Sequence, residues 1–369
     1  MRPPPVNRNN PLATATRPMI DSSNGKGCEQ SKPFAYGEHP TMTTLPKAKL
    51  TTIAEFPPTY FIENIAIRRD NSMLITVGNK QELWFIPSPD ENQPVEPMKL
   101  HTFDVAPSGI VEWEPDVFYI STGRFYDTDE AFLQCLDLRG WAPAAPIRLK
   151  QVFQFPKRVR ALNGSCLIGP NTMLLADSFA GLIWRVDLPS GGGTPVAEVW
   201  LEHESMGYYP GQLKPEQPGI NGIRYAAKIN YIYYTATAKK LFMRVKVDSE
   251  KLNAAGEPEH VAAGRMADDF CIDEDNGVAY LTTHRENTIE VVSLNPAKNS
   301  ERFIVAGEPF TEQLIGPSSA VWSRRSGEYG KVAYFTTDGG TASPPPDGIR
   351  RSAKILRVEI EAIPEALRS

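Results

Sequence analysis

Six positions in the chain share one register, and four of them carry side-chain oxygens able to do chemistry: Glu63, Asn163, Asn221 and Asp268. Ser108 and Ser318 hold the same place in two weaker copies. Each stands just ahead of an apolar run, which is followed by a turn and a second apolar run. Two carboxylates and two carboxamides form a hard, oxygen-only donor set, the kind that Ca²⁺, Mg²⁺ or Mn²⁺ prefers. Asp and Asn-Gly at a strand start also serve ordinary turn chemistry, with the side chain bonded to nearby backbone. What favours the ligand reading is the shared register, because residues at equivalent places in repeated units meet on one axis.

The elements that would bring them together are legible as a repeat. ENIAIRRDNSMLITVGNKQELWFIP begins at Glu63, NGSCLIGPNTMLLADSFAGLIWRVDLP at Asn163, NGIRYAAKINYIYYTATAKKLFMRVKVD at Asn221 and DDFCIDEDNGVAYLTTHRENTIEVVSLN at Asp268. Each reads as polar residue, strand, turn, strand, short loop, strand. A further apolar run precedes each opening residue, for example QVFQF, EVWLE, EHVAA or RFIVA. Short runs rich in Val, Ile, Tyr and Phe between turn residues are strands, and helix-period stretches are almost absent. Six four-stranded units predict an all-β fold, a six-bladed β-propeller with four-stranded blades over residues 49–362, whose final AKILRVEIE is placed to close the ring. Residues 1–48 are rich in Pro, Asn, Ser and Thr and read as a disordered tail; 363–369 read as a C-terminal tail.

In such a blade the loops that enter the first strand and those that join the second to the third emerge on one face. The insertions fall there: HESMGYYPGQLKPEQPG (203–219), STGRFYDTDE (121–130) and TTDGGTASPPPDGIRRS (336–352). Loop growth on one rim marks a binding face.

Composition removes other classes. A net charge of −5 and a pI near 5.7 leave no basic face for nucleic acid. No apolar run is long enough to span a membrane. The four cysteines (Cys28, Cys135, Cys166, Cys271) have no CxxC or metal-ligand spacing, and Cys166 and Cys271 read as small buried hydrophobes. No secretory signal is visible in MRPPPVNRNNPLATATRPMI, so a cytoplasmic protein is expected, with secretion left open should the start be misassigned.

These residues resemble the senescence-marker-protein/gluconolactonase (regucalcin-like) six-bladed propellers. The resemblance covers nearly all of 50–362. It is carried by Glu63 opening its blade, LNG with DSFAGLIWRVD, INGI, and DDFCID. It implies one divalent cation (Ca, Mg, Mn or Zn) held by Glu63, Asn221 and Asp268 with Asn163 as a second asparagine, and no organic cofactor. In hydrolytic members the aspartate, here Asp268, is also the general base. ENIAIRRDNSMLIT, ADDFCIDEDNGVAYLTTH and LIGPSSAVW resemble a fungal branch whose genes often accompany polyketide and terpenoid pathways. Some of its members are implicated in hetero-Diels–Alder joining of a quinone methide to a sesquiterpene alkene. The sugar-binding arginine of gluconolactonases is not recognisable, and the rim loops are longer and more aromatic.

The leading expectation is therefore a hetero-Diels–Alderase-like cyclase of specialised metabolism, monomeric and acting on a small apolar organic substrate. A pericyclic catalyst needs a shaped apolar chamber and a donor or two. Trp113, Phe125, Tyr126, Tyr208, Tyr209, Tyr234, Phe270 and Trp322 are the candidate walls, His284 and Arg124 the candidate donors. Each has a plainer role: Trp113, Phe270 and Trp322 as inter-blade core, Tyr208 and Tyr209 as a rim staple, His284 as a turn residue, Arg124 as a surface ion pair with Asp127 or Asp129. The alternatives are a divalent-metal-dependent lactonase or esterase, and a non-catalytic propeller binding module.

Overall fold

The computed structural model describes residues 48–90, 93–124, 130–189, 193–208, 217–361 and 363–367, together with the backbone of 42–44. Its strands form six antiparallel four-stranded sheets, each running from an inner strand outward. Blade 1 comprises Ile62–Ile67, Met73–Val77, Glu82–Ile86 and Met98–Thr102. Blade 2 comprises Ala106–Glu114, Val117–Gly123, Ala131–Asp137 and Arg148–Gln154; blade 3, Leu162–Gly169, Thr172–Asp177, Leu182–Asp187 and Val196–Glu202. Blade 4 is built from Ile220–Ala226, Tyr231–Ala236, Leu241–Lys246 and Glu259–Ala263, and blade 5 from Phe270–Asp273, Val278–Thr283, Thr288–Ser293 and Arg302–Gly307. Blade 6 takes Pro317–Trp322, Val332–Thr337 and Ser352–Glu359 from the C-terminal part of the chain and Lys49–Pro58 from the N-terminal part. Among the described residues, helix is confined to single 3₁₀ turns and no helix is long and apolar enough to cross a membrane.

The burial pattern follows from stacking sheet on sheet. Second strands such as MLITV, VAYLTT and VAYFTT are buried along their whole length, because a neighbouring blade covers each face. Outer strands such as RLKQVFQ carry only exposed and half-buried residues, since one face meets water. The apolar core is accordingly divided into six clusters, one between each pair of adjacent blades. The ring axis is left to polar groups.

Ring closure differs from the sequence expectation. AKILRVEIE is the third strand of blade 6, and the closing outer strand is Lys49–Pro58, paired antiparallel from Lys49↔Glu359 to Pro58↔Ser352. Ile53, Ala54 and Phe56 of that strand are buried. Within the segment read as a tail, Met42–Thr44 adds parallel to Arg302–Ile304 on the edge of blade 5. At the other end Leu367 is buried in the cluster between blades 5 and 6, so the last residues are not wholly a tail either.

A set of hydroxyls fixes the inner strands to one another. Thr76 Oγ1 donates to the Ser108 carbonyl (2.7 Å), Ser178 Oγ to that of Ile220 (2.7 Å), and Thr235 Oγ1 to that of Asp268 (2.6 Å). Thr282 Oγ1 donates to the Ser318 carbonyl (3.1 Å) and Ser318 Oγ to that of Ile62 (2.7 Å). Each bond runs from one blade to the start of the next, at or beside the residues in matched register. Buried hydroxyl–carbonyl bonds of this kind hold backbone position and add about 1 kcal/mol apiece.

Candidate functional site

Glu63, Asn163, Asn221 and Asp268 line one cavity of about 450 Å³ at the mouth of the central channel. They come from blades 1, 3, 4 and 5, as the shared register predicts. The two serines of the set do not join them. Ser108 bonds Ser121 Oγ and Ser318 bonds Thr336 Oγ1 and the Ile62 carbonyl, both buried in inter-blade packing.

Around the four, Asn221 Nδ2 donates to Asp268 Oδ1 (2.5 Å) and Thr237 Oγ1 (3.0 Å), and Asn163 Nδ2 to Ser178 Oγ (3.2 Å). Burial pushes the Glu63 carboxyl up to about 8, and the Asp268 charge adds to that. Burial likewise lifts Asp268 to about 7; the neighbouring Asp269 and Asp338 charges push the same way, while His284 and the Asn221 bond oppose.

His284 also lines the cavity, with Nε2 3.2 Å from Asp338 Oδ2. Nε2 faces the carboxylate at ion-pair distance, in a contact that falls short of strict hydrogen-bond alignment. Burial pulls the imidazole down, but the Asp338 charge, helped by Asp268, outweighs it and holds His284 at about 9. Asp338 had no place in the sequence reading. It follows the second strand of blade 6 in the register that His284 occupies in blade 5, and that register was the available signal.

Asp269 Oδ2 accepts from Arg224 Nη2 and Ser319 Oγ, each at 2.6 Å, while its buried Oδ1 has no hydrogen-bond partner. A Cβ on Gly222 would lie 2.3 Å from that Oδ1, so only glycine lets Asp269 come this close.

The remaining candidates separate. Phe270 packs between blades 4 and 5, Trp322 between 5 and 6 with Nε1 donating to the Ile272 carbonyl, and Tyr234 between 3 and 4 with its hydroxyl bonded to Ser205. Trp113 packs on Tyr119 and donates to the Pro170 carbonyl. None of these four lines the cavity; they fill blade interfaces, where large flat side chains bury most area. Arg124 pairs with Glu130 in an exposed contact at 3.0 Å, away from the cavity. Tyr208 packs edge-on against Phe179, which is itself a cavity wall. Phe125, Tyr126 and Tyr209 lie outside the described residues. Wall residues that the sequence reading missed include Phe61, Phe179, Pro218 and Arg285.

Among the described residues no group of three or more His, Cys, Asp or Glu side chains is arranged to hold a metal. The four cavity residues nonetheless fit a hard divalent ion by donor type. Two carboxylates, both raised by burial and Glu63 further by the Asp268 charge, share the cavity with two carboxamides.

The fold and site define a six-bladed β-propeller with an acidic cavity at one channel mouth. No protein-family model matches the chain, and no curated protein matches its sequence. Its structural neighbours include regucalcin- and gluconolactonase-like propellers. A luciferin-regenerating enzyme superposes with a TM-score of 0.59 at 14% identity, covering 86% of this chain and 97% of the other. A calcium-binding protein, regucalcin, from Agrobacterium tumefaciens gives 0.56 at 14%, covering 88% and 98%. A gluconolactonase from Xanthomonas campestris gives 0.57 at 9%, covering 85% and 90%. At these identities the likeness is one of fold.

Proposed function

We propose that the protein hydrolyses small lactones or esters in this cavity, with Asp268 as the base that activates water. The observation that carries the reading is the meeting of Glu63, Asn163, Asn221 and Asp268 with His284 in one cavity of ligand size. Glu63, Asn163, Asn221 and Asp268 would hold a divalent cation, which when bound polarises the substrate carbonyl. Support for that ion comes from the donor set and from a calcium-binding structural neighbour. Asp268 accepts the water proton as the carbonyl carbon is attacked. Asn221, bonded to Asp268 Oδ1, fixes the carboxylate's orientation. Phe61, Phe179 and Pro218 supply apolar walls for the body of the substrate.

Cyclisation of a diene with an alkene is the second reading, and those same apolar walls favour it. It is weakened by the move of Trp113, Tyr234, Phe270 and Trp322 into blade interfaces. The two separate on one experiment. Protein stripped with EDTA is assayed on a panel of aliphatic lactones and aryl esters, alone and with Ca²⁺, Mg²⁺, Mn²⁺ or Zn²⁺. Hydrolysis should fall at least tenfold on stripping and return with one of the ions, which also raises Tm because it binds only the folded site. A panel left unhydrolysed under every condition would reject the hydrolase reading.

A further inference from the structure

We propose that His284 is the proton donor to the leaving oxygen in this hydrolysis and that Asp338 is its positioning residue; this rests on the hydrolase reading above. The residue that follows the second strand is Gly78 in blade 1 and, in the positions matched to it by strand pairing, Gly123, Ser178, Thr237, His284 and Asp338 in blades 2 to 6. The fold is content with glycine, serine or threonine at four of the six. Ionisable groups stand only in the adjacent blades 5 and 6, where they face each other across the interface at 3.2 Å.

Asp338 is fully buried and rigidly held. Its Oδ1 accepts from the Gly340 amide and its Oδ2 from the Ala342 amide, both at 2.8 Å, and its own amide donates to the Gly316 carbonyl. Gly316 has a φ of +65°, and a Cβ there would sit 1.8 Å from Asp338 Oδ1 and 3.4 Å from His284 Nε2. The backbone has been cut away at that point to let carboxylate and imidazole approach. Phe61, another cavity wall, meets the imidazole edge-on with ring centroids 6.1 Å apart.

With Nε2 turned toward Asp338, Nδ1 is the nitrogen left to serve a ligand. A carboxylate beside Nε2 keeps the proton there when the ring is neutral, so it is the Nδ1 proton that is given up. The charged groups acting on the ring are Asp338, Asp268 and, when ionised, Glu63, which favour imidazolium, and Arg285, which opposes it. The step balances as follows. Water adds its oxygen to the carbonyl carbon and its proton goes to Asp268. The acyl carbon–oxygen bond breaks, and the leaving alkoxide takes the Nδ1 proton of His284. The product is the hydroxy acid, and the proton on Asp268 returns the pair to its starting state through solvent.

A proton donor matters only when the leaving group needs one. An alkoxide is too basic to depart unprotonated, whereas nitrophenolate departs as a stable anion. Wild type, His284→Gln and Asp338→Asn are therefore compared on an aliphatic lactone and a nitrophenyl ester, with the cation that supports turnover. His284→Gln should lose about a hundredfold in kcat on the lactone and less than threefold on the aryl ester. Asp338→Asn should show the same selectivity at about a tenth of the size. The ratio between two substrates on one preparation is independent of the folded fraction, so partial unfolding cannot imitate it. Equal losses on both substrates in either variant would overturn the donor role while leaving the hydrolase reading standing. No turnover of either substrate by wild type would overturn both.

Discussion

Asp268→Asn is expected to lower kcat for lactone hydrolysis by about a thousandfold with little change in fold. The size is what removal of a positioned general base costs in related chemistry, about 10²–10⁴. Asparagine has the shape of aspartate, and its carbonyl can still accept from Asn221 Nδ2, so the contact at 2.5 Å has a substitute. The pH dependence sharpens the test. Asp268 must be ionised to take a proton; burial raises its carboxyl to about 7 in the cation-free cavity and a bound divalent cation lowers it, so the wild-type rate should rise on the acid side of pH 7. His284 must be protonated to give one, and it is held at about 9, so the rate should fall above pH 9. The variant should lose the ascending limb. Stability moves the other way: a carboxyl whose folded pKa lies above its unfolded value destabilises the fold progressively as pH rises from the ordinary carboxyl value of 3.8 to about 7. Asp268→Asn should therefore melt at or above the wild-type temperature at pH 8, as recorded by circular dichroism. Activity within tenfold of wild type would remove Asp268 from the base role.

The meeting of the four oxygen-bearing residues and the misplacing of the aromatic walls have one physical origin. Blade count, strand order and the meeting of Glu63, Asn163, Asn221 and Asp268 depend on units repeating in register, and register survives in a single sequence. The aromatic walls required something finer, the face on which each side chain stands. In a regular strand that face alternates, so Trp322, four residues after Ser318, would share its side. But pairing slips between Pro317 and Ala320, and likewise between Ile62 and Asn64, Pro107 and Ile110, Leu162 and Ser165, and Ile220 and Ile223. An irregularity just past the channel mouth resets the alternation, and Trp322 enters the interface between blades 5 and 6. Asp338 was hidden for a different reason. It opens a long loop, TDGGTASPPPDGIRRS, in which a lone aspartate beside two glycines reads as turn chemistry. Only the partner across the blade boundary, His284, separates it from an ordinary turn residue. Closure by Lys49–Pro58 was equally invisible, since its pairing partner in blade 6, Ser352–Glu359, lies some 300 residues away in sequence.

Glu290→Ala is expected to cost about 3–5 kcal/mol of stability, the range for breaking a buried ion pair from one side. Glu290 is fully buried in blade 5 and accepts from Arg265 Nε (2.9 Å) and Arg302 Nε (3.1 Å), while Arg302 Nη2 also contacts both Glu290 and Glu286. Two guanidinium groups and two carboxylates thus balance in a dry environment, and backbone carbonyls of Ala263, Gly264 and Glu301 take the remaining donors. Removing Glu290 leaves two buried positive charges facing one negative. Neither guanidinium can shed its proton at any ordinary pH, so the imbalance has no cheap relief. At about 2 °C per kcal/mol for a chain of this size, Tm should drop by roughly 6–10 °C. The double variant Glu290→Leu with Arg302→Met should lose less than the single one, because it removes a charge of each sign and returns apolar volume. That inequality is the informative outcome. If the double variant is the less stable of the two, the network contributes net stability through its pairing and not merely through mutual neutralisation. A single-variant loss below about 1 kcal/mol would place the cluster with exposed ion pairs, against its burial. Lactone turnover per folded molecule should be unchanged throughout, because none of these four side chains lines the cavity.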